Sequence, residues 1–252
     1  MDKRQIRRIA DQLLPSFTKR FLFTLRGRIN QSRSTSDIFS QIYSTGRWGG
    51  DGKFDSGTGT ADESVVDPYV VAVRSEIEKL GLSGARFVDL GCGDFRVGRK
   101  IATLSGSYTG VDIVPALIRH LEQSHGRDGI SFRCINMIED PLPDGDVCFV
   151  RQVLQHLSND QILKILPKLA AYKYVFVTEH IPNRTKSYTP NVDKPHGPDV
   201  RLYWNSGVFL EQPPFSVPVS KMREILSVRG TALWKGEDPG EIVTWVLSGV
   251  TA

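Results

Sequence analysis

The sequence predicts an α/β fold: a mostly parallel sheet with helices on both faces, behind a helical and irregular N-terminal extension. Three observations carry this reading. From about residue 64 onward, short apolar runs of strand length alternate with segments of helical periodicity. One such run, Val88-Asp89-Leu90, passes straight into Gly91-Cys92-Gly93, a turn in which the backbone can bend sharply and a ligand can come close. Another, Tyr174–Thr178, is apolar throughout, as a strand covered on both faces must be.

The elements follow in order. Residues 5–25 set Ile6, Ile9, Leu13, Phe17, Phe21 and Leu25 three or four apart, one face of a helix that Pro15 divides. Residues 31–63 are rich in Ser, Gly and Thr but carry Phe39, Tyr43, Trp48 and Phe54, which a plain tether would not need; they read as an ordered arm with turns. Residues 66–80 form a helix closed by Gly81, and Ala85–Leu90 the first strand. A helix through Val97, Ile101 and Leu104 leads to a strand over Tyr108–Ile113. Residues 115–124 make the next helix, with Pro115 in its first turn. Ile130–Ile135 and Asp146–Val150 are the third and fourth strands. Ser158-Asn159-Asp160-Gln161 is a capping-box start for a helix to about Ala170, and Tyr174–Thr178 is the fifth strand. About 30 residues with four prolines come next, a length that in a compact domain points to function. A helix over Val219–Ser227 and strands over Thr231–Trp234 and Glu241–Leu247 complete the expectation.

Composition bounds the function. The 252 residues, 40% hydrophobic and 24% charged, are ample for one sizeable core and unlike a disordered chain. No apolar run approaches the roughly 20 residues of a membrane-spanning helix. Three cysteines, Cys92, Cys134 and Cys148, without a C-x-x-C pair argue against a disulfide scaffold or a cysteine zinc site and favour a reducing, cytoplasmic setting. The five histidines show no metal-ligand spacing, so no metal is expected.

The charge is uneven. Residues 1–33 hold nine basic groups against Asp2 and Asp11, a net of +7, while the other 219 residues carry 23 basic and 26 acidic groups, a net of −3. A basic amphipathic leader of this kind can rest on an anionic membrane surface, or it can pack on its own domain with a solvated basic face. The sequence therefore divides into a leader (1–33), an arm (34–63) and a main domain (64–252).

Chemistry concentrates at the strand ends. Asp112 ends the second strand 23 residues after Asp89, and in an open α/β sheet both ends face the crevice where ligands bind. A carboxylate there suits the two hydroxyls of a ribose. A dinucleotide fingerprint would need glycine at Arg96, and Asp89 would repel a pyrophosphate; no G-K-[ST] loop occurs either. An acid before the loop suits a ligand with a positive amino-acid end and no phosphates.

With Val88-Asp89-Leu90-Gly91-Cys92-Gly93-Asp94-Phe95 joined to Asp112, the sequence resembles the class I S-adenosylmethionine-dependent methyltransferases over roughly residues 64–180. Phe95 stands where the family's third loop glycine usually falls. The resemblance implies a Rossmann-like seven-stranded sheet with S-adenosyl-L-methionine at its carboxyl edge. It implies that Asp89, Gly91, Cys92 and Gly93 line the methionine end. Asp112 would then bind the ribose with Ile113 beside the adenine, Asn136 and Met137 would flank the adenine, and Arg151 and Gln152 would sit below the sulfonium toward the acceptor. Val153-Leu154-Gln155-His156-Leu157-Ser158 looks like the V-L-x-H-L segment of many small-molecule members, so His156 is a candidate base beside Glu179 and His180 at the end of strand five. In-line methyl transfer needs alignment more than a base. The F-x-x-I-Y and W-G-G elements resemble an arm that closes over the cofactor.

Gln212-Pro213-Pro214-Phe215 invites comparison with the [DN]-P-P-[FY] signature of adenine and glutamine N-methyltransferases. It lies far beyond strand four and begins with Gln, so a rigid turn is the better reading. The expected activity is O- or N-methylation of a small-molecule or saccharide acceptor. The rivals are a nucleic-acid methyltransferase using the basic leader, against which the body's net −3 speaks, and a non-catalytic binder of S-adenosylmethionine.

Overall fold

The computed structural model describes residues 33–48, 54–232 and 238–249; the expected leader helices and the glycines of W-G-G lie outside them. Helix α1 (Thr35–Ser44) starts at Ser34, whose hydroxyl accepts the Asp37 N–H. A single turn, α2 (Thr58–Ala61), leads to α3 (Glu63–Lys79), capped by the Asp62 carboxylate. Strand β1 (Arg86–Leu90), α4 (Gly98–Ala102), β2 (Ser107–Asp112), α5 (Pro115–His125), β3 (Ile130–Cys134), β4 (Val147–Arg151), α6 (Asn159–Leu169), β5 (Tyr174–Ile181), β6 (Met222–Arg229) and β7 (Glu241–Ser248) follow.

The seven strands form one sheet in the order β3-β2-β1-β4-β5-β7-β6. The first five are parallel and β7 runs antiparallel between β5 and β6. Alternation along each strand sends side chains to two buried layers. Phe87, Tyr108 and Phe149 join Val73 and Ile77 of α3 and Leu117 and Leu121 of α5 on one face. Val88, Leu90, Cys148 and Val150 meet Ile162, Ile165 and Leu169 of α6 on the other. The strand order reverses between β1 and β4, so the ligand crevice opens above their carboxyl ends.

Two expectations need correction. Val219–Ser227 is not a helix: a 3-10 turn (Val219–Lys221) leads into β6, which pairs with β7 from Met222 to Arg229. Its apolar residues are too few to fix a period of 3.6 against 2, and pairing with the exposed edge of β7 decides the matter. The sixth strand therefore precedes Thr231; Thr231 and Ala232 are irregular, and 233–237 lie outside the described residues. Strand β5 also runs past Thr178 to Ile181, because β7 continues beside it: Glu179 pairs with Val243 and His180 with Ile242. The pair expected at a strand end is inside a ladder.

Candidate active site

The glycine turn is built as its residues require. The N–H groups of Gly91 and Cys92 both donate to the Val111 carbonyl, at 2.8 and 2.9 Å, which closes the turn against β2. Gly91 has φ of 74° and Gly93 of 53°, and a Cβ on Gly93 would strike the Ser56 hydroxyl. Phe95 also takes a positive φ, 60°, so the residue in place of the third glycine adopts a glycine-like backbone.

Two carboxylates flank the turn. Asp112 accepts the Gly93 N–H at 3.3 Å and the Val114 N–H at 3.1 Å. Burial pushes its carboxyl up to about 6, against the lowering pull of the Val114, Gly93 and Ile113 amides. Asp89 accepts a short hydrogen bond from the Tyr108 hydroxyl. Burial raises it to about 6 as well, opposed by Tyr108 and by the positive charge of Arg151.

Strand β4 supplies the facing wall. The Arg151 guanidinium lies 4.9 Å over the Tyr69 ring and donates through Nη2 to the Gly59 carbonyl at 2.6 Å, while its Nε has no partner. Gln152 follows with φ of 55°; its Nε2 is buried and unpartnered, and a Cβ on Gly59 would meet its amide. Two adjacent N–H donors without acceptors inside a cavity are suited to an anionic ligand group.

The arm covers the opening. Ser36 donates to the Ile113 carbonyl at 3.2 Å, and Tyr43 and Ser56 share a 3.0 Å hydrogen bond above Gly93. Ser56 Oγ accepts the Asp94 N–H at 2.8 Å. Trp48 packs on His156 with ring centres 5.3 Å apart, and Phe39 on Trp48 at 5.9 Å.

One cavity gathers most of the expected residues: Asp89, Gly91, Cys92, Gly93, Asp112 and Ile113, then Asn136, Met137, Arg151 and Gln152, together with His156. Glu179 and His180 do not line it. The Glu179 carboxylate accepts the Leu154 and Gln155 N–H groups at 2.9 and 3.1 Å, and burial pushes it up to about 8. His180 Nε2 meets the Pro239 carbonyl at 2.6 Å, and burial lowers its pKa. His156 is held through Nδ1 by the Gly197 carbonyl at 3.2 Å, and burial, with the Lys194 charge, takes it down to about 3. An imidazole so held stays neutral and is a poor base. Tyr69, Thr60 and Tyr108 also line the cavity, and nothing in their local sequence sets them apart from neighbouring polar residues. Among the described residues, no cluster of His, Cys, Asp and Glu could hold a metal ion.

A 3-2-1-4-5-7-6 sheet with its one antiparallel strand, and a glycine turn between two acids at the switch point, give a Rossmann-like fold of the methyltransferase type. Residues 87–172 match the family model of a methyltransferase domain. The fold is similar to that of the N-methyltransferase NodS from Bradyrhizobium japonicum, solved with S-adenosyl-L-homocysteine, at 12% identity and a TM-score of 0.57, covering 85% of this chain and 97% of that one. It is similar too to the 1,6-didemethyltoxoflavin-N1-methyltransferase of Burkholderia thailandensis (16% identity, TM-score 0.55, 86% and 87% covered). Human N-acetylserotonin methyltransferase is a third (14%, 0.51, 87% and 61%). No curated protein matches the chain. Residues 87–172 thus carry a methyltransferase domain by that model, and the fold around them is shared with S-adenosylmethionine-dependent methyltransferases.

Proposed function

We propose that the cavity at the carboxyl ends of β1 and β2 binds S-adenosylmethionine, and that the enzyme methylates a small-molecule or saccharide acceptor at oxygen or nitrogen. The arrangement that carries the reading is the pair Asp89 and Asp112 on either side of the Gly91-Cys92-Gly93 turn, facing one cavity with Arg151 and Gln152 opposite. The bound cofactor supplies an electrophilic methyl group on a sulfonium. Asp112 accepts hydrogen bonds from the ribose hydroxyls, and Ile113 and Met137 clasp the adenine. The Asn136 side-chain oxygen is taken by the Ile138 N–H at 3.0 Å, so its amide N–H2 is the group turned to an adenine edge. Asp89 faces the methionine ammonium, and the unpartnered donors of Arg151 and Gln152 suit the carboxylate. The described residues of the arm, 34–48 and 54–63, exclude water from this end, and the main domain holds the reacting atoms in line.

Similar folds whose names describe N-methyltransferases, one of them for 1,6-didemethyltoxoflavin, support a small-molecule acceptor. Calorimetric titration with S-adenosylhomocysteine tests the assignment. Wild type binds, and Asp112→Ala binds at least about tenfold more weakly, in line with a lost hydrogen bond to a charged group. Equal affinities would remove the ribose role.

A further inference from the structure

The lining of the cavity is not uniform in character. The carboxylates of Asp89, Asp94 and Asp112 all lie along the glycine turn and are already engaged: Asp89 with Tyr108, Asp94 with Ser56 and Thr60, Asp112 with loop amides. The flank under the arm and beyond the end of β4 is lined by Phe39, Trp48, Gln152, Val153, His156 and Leu157. None of these carries a formal charge, since His156 is kept neutral by its burial. Trp48, Phe39 and His156 form a continuous aromatic wall: Trp48 is tilted 44° against His156 and 49° against Phe39, and Phe39 meets His156 edge-on at 6.3 Å. Behind His156 lies Lys194, 4% exposed, with no partner for its Nζ. Burial takes this ammonium down to about 7, so its charge is partial at neutral pH and largely gone at mildly alkaline pH.

Chemistry narrows the acceptor further. A neutral nitrogen already carries its lone pair and needs only alignment, whereas an aliphatic hydroxyl is a poor nucleophile until its proton is taken. Among the described residues of this flank His156, hydrogen-bonded to Gly197, is the one titratable group, and burial makes it a weak base. A protonated aliphatic amine lacks a lone pair and would meet no anion here. Resting on the cofactor assignment above, we infer that the acceptor is an uncharged, planar nitrogen heterocycle or aryl amine that stacks on the Trp48–Phe39–His156 wall and is methylated at nitrogen. The nitrogen lone pair forms the new N–CH3 bond while the C–S bond breaks and its electron pair stays on sulfur, giving S-adenosylhomocysteine. The cation so formed loses a proton to water at the cavity mouth, from the methylated nitrogen of an aryl amine or from the other ring nitrogen of an azole.

The test uses the protein saturated with S-adenosylhomocysteine at mildly alkaline pH and titrates four probes calorimetrically: benzimidazole (planar, neutral), benzylamine (cationic), benzoate (anionic) and methyl glucoside (neutral, non-planar). The expected result is that benzimidazole binds at least about tenfold more tightly than benzylamine or methyl glucoside. Trp48→Leu weakens benzimidazole about threefold to tenfold, the scale of a lost ring contact, and Trp48→Phe restores most of it. Retained S-adenosylhomocysteine binding by each variant shows that it is folded. The inference is overturned if benzylamine, benzoate or methyl glucoside binds best, if no probe binds, or if Trp48→Leu leaves benzimidazole affinity unchanged. Failure of S-adenosylhomocysteine itself to bind wild type would instead strike the cofactor assignment.

Discussion

Arg151 Nη2 donates to the Gly59 carbonyl at 2.6 Å, so the residue that ends the floor strand β4 also fastens the arm that forms the roof. The same guanidinium has an Nε without a protein partner, the atom that the proposed function gives to the cofactor's carboxylate. On that proposal, roof and ligand share one cation. Arg151→Met removes both contacts while keeping an unbranched apolar stem over Tyr69. S-adenosylhomocysteine affinity is expected to fall about tenfold to hundredfold, the worth of one or two charged hydrogen bonds. Isothermal titration reads this, and a variant within twofold of wild type would separate the arm from cofactor binding.

The two raised acids give a pH dependence. Asp89 and Asp112 both sit at about 6 through burial, above the ordinary carboxylate value. In the free protein this favours the protonated folded state, so their contribution to stability declines as pH rises from about 4 to about 6 and is flat above. A ligand that pairs with the ionised carboxylates has the opposite preference. Cofactor affinity is expected to rise as pH climbs through about 6 and to level off by about pH 7.5, with at most about tenfold per unit for each group. Asp112→Asn should flatten part of the slope. Titrations across this range that show constant wild-type affinity would contradict the roles of both acids.

Glu179 was expected near the chemistry and instead anchors the chain leaving β4. Its carboxylate takes the N–H groups of Leu154 and Gln155, and it is fully buried. Glu179→Ala orphans two buried amides at about 1–3 kcal/mol each. For a chain of this size that lowers the melting temperature by about 4 °C or more. Thermal denaturation with and without S-adenosylhomocysteine checks this; an unaltered melting temperature together with lost turnover would return Glu179 to the catalytic group.

What could be read in the sequence was what local rules determine. The turn at Gly91 needs glycine wherever it occurs, Asp112 follows it at the spacing of one strand–helix unit, and Ser158 announces its helix through its own cap. The C-terminal strands obey no such rule. Met222–Arg229 becomes strand because β7 offers it an edge, and β5 runs on to Ile181 for the same reason. The aromatic wall was equally hidden: Phe39 and Trp48 lie over a hundred residues from His156, and nothing in either stretch states that they meet. The Tyr108–Asp89 contact is a cross-strand pairing of the same kind, invisible until β1 and β2 are in register.

The cap of α6 reaches further than its own helix. Ser158 Oγ accepts the Gln161 N–H at 3.3 Å, and Gln161 Oε1 accepts the Ser158 N–H at 3.1 Å, completing the capping box. The Gln161 Nε2 then donates to Thr35 Oγ1 at 3.2 Å, in the first turn of the arm's α1, and Thr35 lines the cavity. Both Ser158→Ala and Gln161→Ala lose a capping bond, each costing about 1 kcal/mol and about 2–4 °C in melting temperature. They should part company in binding. Ser158→Ala leaves the bond to Thr35 and keeps S-adenosylhomocysteine affinity near wild type, whereas Gln161→Ala releases the arm and weakens affinity about twofold to fivefold, the worth of one neutral hydrogen bond. If the two variants bind alike, the cap serves its helix alone and the arm is held closed by its contacts with Arg151 and His156.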